Sequence, residues 1–105
     1  MSWTILFLAG IFEIFLAVGL KYSDGFTKLI PTIFTIVTMI ISFYLLSLAL
    51  KALPIGTAYA VWVGIGTVGT VIAGIMLFGE SMTLIRVISI LFILIGIVGL
   101  KFTTN

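Results

Sequence analysis

The chain reads as four long apolar runs separated by short polar punctuation. The first run, Trp3 to Leu20, is about 18 residues long, roughly what a helix needs to cross the hydrocarbon core of a bilayer. It stops at Lys21-Tyr22-Ser23-Asp24-Gly25, a polar turn with Gly at its end. The second extends from about Leu29 to Leu50. Pro31 stands in its first turn, where a missing N–H costs little, and Lys51 with Pro54-Ile55-Gly56 closes it. The third extends from about Thr57 to Phe78 and is closed by Gly79-Glu80-Ser81; the fourth extends from about Met82 to Leu100 and ends at Lys101. Strands of a membrane barrel would alternate apolar and polar residues at every second position, and these runs do not. The pattern predicts an all-α membrane protein. Four transmembrane helices form one domain over residues 1–105, in an up-down bundle with both termini on one side.

Composition narrows the classes further. Hydrophobic residues make up 63% of the chain and charged residues 8%, against about 25% charged in a soluble domain. The net charge of +2 rests on five basic and three acidic residues, with no basic stripe to hold nucleic acid. Cysteine and histidine are absent. That removes disulfides, ordinary zinc sites, thiol nucleophiles and histidine acid–base chemistry, so neither a cofactor nor a metal is expected. No nucleophile–base set is visible, and the chain does not read as an enzyme. The first run lacks a basic leader and is interrupted by Glu13. It therefore reads as a retained helix rather than a secretory signal, in a multi-pass protein of a bacterial-type inner membrane.

Glu13 is the most informative residue. An ionised carboxylate well inside the hydrocarbon costs on the order of 3 kcal/mol on insertion scales, so it faces a bundle interior or a water-filled cavity and marks a functional site. Helical spacing puts Gly10, Glu13, Ala17 and Leu20 on one face of the first helix, with Leu16 beside them. On the second helix, Thr35, Thr38 and Ser42 share a face, with Met39 and Phe43 next to it. These hydroxyls either line a cavity or bond back to their own helix. On the third, Tyr59 and Trp62 are three apart. They present π faces to a cation, or else sit in an interfacial aromatic belt. One carboxylate, a hydroxyl stripe and two aromatics together make a cation-binding set.

Gly64-Ile65-Gly66-Thr67-Val68-Gly69 has the form of a dinucleotide fingerprint. It lies inside an apolar span and follows no strand, so that reading is rejected. The glycines permit close helix packing or a kink. Gly96 and Gly99 on the fourth helix suit helix–helix contact. Arg86, one turn inside that helix, can snorkel to the interface.

The loop charges are almost balanced. Lys21, Lys28 and Arg86 belong to one side, Lys51 and Lys101 to the other. The positive-inside rule orients a chain by that difference. The balance fits either a weakly oriented protein or one inserted in both orientations as an antiparallel dimer. Four helices of this size can hardly enclose a water-lined path alone. A symmetric dimer would bring two copies of Glu13 near one axis, where they would titrate as a coupled pair. Proton and cation would then compete for one site, the minimum needed for antiport.

Several blocks together are highly specific. They are Ala9-Gly10-Ile11-Phe12-Glu13, Leu20-Lys21-Tyr22-Ser23-Asp24-Gly25-Phe26-Thr27, Leu53-Pro54-Ile55-Gly56-Thr57-Ala58-Tyr59-Ala60-Val61-Trp62, and Gly64-Ile65-Gly66. On them the chain resembles the small multidrug resistance family over essentially its whole length. Ser42, Gly79-Glu80-Ser81 and the ending Gly96-Ile97-Val98-Gly99-Leu100-Lys101 resemble its guanidinium-exporter subtype. The resemblance implies a dual-topology antiparallel dimer exchanging protons for a cation. In it Glu13 is the shared proton and substrate carboxylate, and Ser42, Tyr59 and Trp62 line the site. Gly10, Leu16, Ala17, Met39 and Phe43 would line the cavity. The fourth helices, with Gly96 and Gly99, would form much of the dimer contact. Two departures bear on selectivity: the subtype usually carries Trp where this chain has Leu16, and commonly Thr where it has Val63. Both leave a more apolar site. Three alternatives therefore stand beside a guanidinium-exporting homodimer. They are a broader exporter of quaternary-ammonium or hydrophobic cations, one half of a heterodimer with a paralogue, and a non-transporting membrane assembly subunit.

Overall fold

The computed structural model describes residues 2–103. It is all-helical, with α1 (Ser2–Tyr22), α2 (Leu29–Ala49), α3 (Ile55–Phe78) and α4 (Leu84–Thr103), each long and apolar enough to cross a membrane. Lys101 Nζ lies 5.2 Å from the centroid of the Trp3 ring. The start of α1 and the end of α4 are therefore at the same end.

Several of the helix boundaries show their local cause. The α1–α2 turn is held by Ser23, which is buried; its hydroxyl donates to the Leu20 carbonyl at 2.7 Å and accepts the Phe26 N–H at 3.2 Å. Three successive residues, Asp24, Gly25 and Phe26, take positive φ there. α3 ends where Gly79 adopts φ +67° and the Glu80 N–H turns back to the Gly74 carbonyl at 3.2 Å, a left-handed closure that glycine makes without steric penalty. α4 begins at Leu84, two residues later than the apolar run, because Thr83 caps it: its hydroxyl accepts the Arg86 N–H at 3.2 Å.

The helices pack in the order α2, α1, α3, α4. The backbone extents are 42 × 35 × 17 Å. Three interaxial steps of about 8–10 Å, plus the helix backbone radius at each side, account for a width near 35 Å. A closed square of four helices would be much narrower. The expected bundle is thus an open row, and α4 packs its backbone against α3 alone. Among the described residues, Ile97 is the one buried residue of α4.

Between helices in lipid there is no hydrophobic drive, so contact depends on close van der Waals approach through small residues. The glycines of α3 serve this purpose in two directions. A Cβ at Gly64 would stand 2.7 Å from Ile97 Cδ1 of α4. A Cβ at Gly66 would stand 2.5 Å from Glu13 Cδ, and one at Gly69 would overlap Ile14, both on α1. α3 runs unbroken through all of them from Ile55 to Phe78. The glycines therefore make close approaches rather than a break in the helix.

Candidate functional site

Glu13 projects from α1 toward the bare turn of α3 at Gly66. Its Oε2 is buried and has no hydrogen-bond partner, alone in that respect among the buried side-chain nitrogens and oxygens of the described residues. Unpaired buried polar atoms are rare in folded proteins and each calls for an explanation. The five basic residues lie in the loops or the end turns of helices. Among the described residues the one ion pair is Arg86 with Glu80. The carboxylate is thus left without a counter-charge from its own chain.

The space beside it is a cleft of about 220 Å³ lined by Glu13, Gly66, Thr67, Thr70 and Val71. It shares Thr67 and Val71 with a neighbouring cleft that Ile85, Arg86 and Ser89 of α4 line. Thr67 gives its proton to the Val63 carbonyl at 2.7 Å, which leaves its hydroxyl oxygen able to act only as an acceptor. Thr67 and Thr70 are absent from the sequence-based site. The signal was present in their three-residue spacing beside Gly66, on a helix read for its aromatics and glycines alone.

The other expected site residues gather one helical turn away. Trp62 Nε1 donates to Ser42 Oγ at 2.9 Å, and Ser42 Oγ donates to the Ala9 carbonyl at 2.8 Å. Ala9 precedes Glu13, and Trp62 precedes Gly66, by four residues each, so this relay lies about 6 Å along both helices from the carboxylate. Phe43 packs edge-on to Trp62 with centroids 5.5 Å apart, and the Tyr59 ring centroid lies 5.6 Å from that of Trp62. Tyr59 is 57% exposed and Phe43 50%. Ser42 is fully buried. The three expected site residues Ser42, Tyr59 and Trp62 are therefore brought together. Among the described residues, no hydrogen bond joins any of them to Glu13.

The rest of the α2 stripe is spent on its own helix. Thr35 Oγ1 donates to the Pro31 carbonyl at 2.7 Å, and Thr38 Oγ1 lies 2.9 Å from the Phe34 carbonyl. Both residues are buried, so back-bonding prevails over cavity lining at these two positions. Gly10 meets Ile65, where a Cβ would stand 2.7 Å from Ile65 Cγ2. Ala17 lines a second, smaller cleft further along α1. Leu16 and Met39 are partly buried on their helices. Gly96 and Gly99 have nothing within 4 Å of an added Cβ and lie on the uncovered face of α4.

The comparisons with known proteins bear on this geometry. A family model described as Small Multidrug Resistance protein matches residues 1–93. The chain belongs to that family. A guanidinium exporter of Proteus vulgaris is 59% identical over 101 residues, 96% of this chain and 97% of the relative. One from Yersinia pestis is 57% identical over the same shares. One from Escherichia coli (strain K12) is 53% identical over 105 residues, the full length of both. Membership in this family and four spanning helices make the chain a multi-pass transport protein of the bacterial inner membrane.

Proposed function

We propose that this chain exports guanidinium-type small cations in exchange for protons, as an antiparallel dual-topology homodimer in which Glu13 of each subunit holds either a proton or the substrate. The observation that carries the reading is Glu13 Oε2, buried, unpartnered and beside an open cleft. A carboxylate with no cation of its own is open to a partner from outside, and on this reading a proton and an organic cation occupy it in turn. Guanidinium is planar and carries its donors in a fork that matches a carboxylate. The relatives named as guanidinium exporters, at 53% to 59% identity over nearly the whole chain, support that substrate.

Each neighbour then has a role. Gly66 makes room for the carboxylate against α3. Ser42 ties Trp62 to α1, which fixes an aromatic wall whose π faces attract a cation. Tyr59, exposed at the edge of that wall, is free to meet the partner subunit. The open α3–α4 side is the face on which a second, inverted copy would complete the cavity.

The test is transport. Liposomes containing the purified chain alone are expected to give guanidinium-evoked, proton-coupled currents that Glu13→Gln abolishes. Full current in that variant would sink the assignment. A second reading rests on Leu16, which puts an aliphatic side chain where the guanidinium subtype usually has an indole. It predicts transport of quaternary-ammonium or other hydrophobic cations, or activity that needs a paralogous partner. Silence toward guanidinium with verified incorporation would favour it.

A further inference from the structure

Two carboxylates, rather than one, rest on bare turns of α3. Glu13 lies over Gly66, and Glu80 lies over Gly74, where an added Cβ would run into the Glu80 carboxylate. Gly66, Thr70 and Gly74 form one row at four-residue spacing, so the two seats are about 12 Å apart along the helix with Thr70 midway. Thr70 lines both the cleft at Glu13 and a neighbouring cleft of about 120 Å³ that Glu80, Gly74 and Lys21 line at its outer end. Val71 is common to both as well, so the two clefts adjoin along α3 in a line that we read as one groove. Among the described residues, Thr70 Oγ1 makes no hydrogen bond, whereas Thr67 bonds back to its helix.

The outer carboxylate is already occupied by a guanidinium group. Arg86 Nη2 lies 3.2 Å from Glu80 Oε1, and Arg86 Nη1 donates to the Ser81 carbonyl at 2.8 Å. Arg86 itself lines a third cleft, of about 240 Å³, that shares Thr67 and Val71 with the one at Glu13. The side chains are 31% and 40% exposed, and an exposed ion pair is weak and opens readily. Lys21, the other cation at this mouth, is drawn over the Phe78 ring at 5.0 Å.

We propose that Glu80 is a second cation-binding carboxylate, a loading site for guanidinium at the outer end of the groove, which Arg86 fills as a tethered competitor until free cation displaces it. The proposal rests on the guanidinium reading of Glu13. A carboxylate at the mouth raises the local concentration of a cationic substrate, and the groove past Thr70 gives the cation a route toward Glu13. Glu80 acts on capture and leaves the proton exchange at Glu13 unchanged.

The experiment is the concentration dependence of initial guanidinium transport in liposomes, for the full chain and for Glu80→Gln, Arg86→Gln, the double variant and Asp24→Asn. Asp24 is exposed in the α1–α2 turn at the same end, and its variant makes the same charge change outside the groove. Glu80→Gln is expected to raise KM about fivefold with the maximal rate within about twofold, the mark of lost binding rather than lost turnover. Arg86→Gln is expected to lower KM about twofold in the parent and to have no effect once Glu80 is gone, the non-additivity of a shared site. Asp24→Asn should leave KM unchanged. An unchanged KM in Glu80→Gln, an equal rise in Asp24→Asn, or an Arg86→Gln effect that persists without Glu80 overturns the loading site. Should Glu80→Gln fail to insert, a KM for Arg86→Gln at or above the parent value overturns it instead. If the parent carries tetraphenylphosphonium in a Glu13-dependent way and carries no guanidinium, the reading of Glu13 as a guanidinium site fails, and the loading site with it. Glu13-dependent guanidinium transport with an unchanged KM in Glu80→Gln overturns the loading site alone.

Discussion

At the scale of single residues, a side chain's role follows from what it is left without. Glu13 Oε2 has no partner in its own chain, while Ser42 and Trp62 have each other and the Ala9 carbonyl. Gly66 decides where the carboxylate sits. In Gly66→Ala the new methyl would stand 2.5 Å from Glu13 Cδ, so the carboxylate must move, and transport should fall at least about tenfold because small misplacements of a reacting group are costly. Gly64→Ala is the matched comparison. Its methyl meets Ile97 Cδ1 at 2.7 Å and Ile93 Cγ2 at 3.3 Å, side chains of α4 rather than the carboxylate, so transport should fall less than in Gly66→Ala. Equal losses in the two would show that α3 merely tolerates no methyls. Ser42→Ala strands the Trp62 N–H in a buried place and should destabilise the protein by about 1–2 kcal/mol in a denaturant titration in micelles, between the average for interhelical bonds in membranes and the cost of an orphaned donor. Glu13 stands out in the sequence because no basic residue lies deep within the apolar runs to pair with it, which weighs against a merely structural polar contact. Its neighbours Thr67 and Thr70 were less legible, since hydroxyls inside a spanning helix usually satisfy themselves on the preceding turn.

At the scale of elements, the four helices could be read from the apolar runs, because bilayer thickness fixes how long each must be. Their ends were set by chemistry of shorter range. Gly79 closes α3 in the left-handed conformation, so Gly79→Ala should cost about 1 kcal/mol of helix stability, measurable in the same titration. A neutral result would mean that the turn to Ser81 can be closed another way. The role of the α3 glycines was harder to read, since the same Gly64, Gly66 and Gly69 suit a kink as well as a close approach. Only the packing partners decide between these. α1 supplies Glu13 and Ile14, α4 supplies Ile97, and the helix between them stays continuous.

At the scale of the whole molecule, four spans and short loops left open whether the helices close into a bundle or lie in a row. That depends on which faces find partners, and α4 has few within its chain. Phe92, Ile95, Val98 and Phe102 stay more than half exposed, and Gly96 and Gly99 face nothing within reach. On the dimer reading, Gly96→Leu fills a contact between copies, at a position where an added Cβ meets nothing within 4 Å in its own chain. It should shift the detergent-solubilised protein toward monomer by sedimentation with unchanged helix content; a dimer of parental stability would place the contact elsewhere. An antiparallel pair would set two Glu13 clefts facing each other, each open where the other can cover it. The central claim is that one carboxylate alternately holds a proton and the exported cation. Its most direct test is proton release when guanidinium is added to the purified protein in weakly buffered detergent, read with a pH indicator. Saturable acidification that disappears in Glu13→Gln is the expected result. Guanidinium binding without proton release, or release that persists in Glu13→Gln, would contradict it.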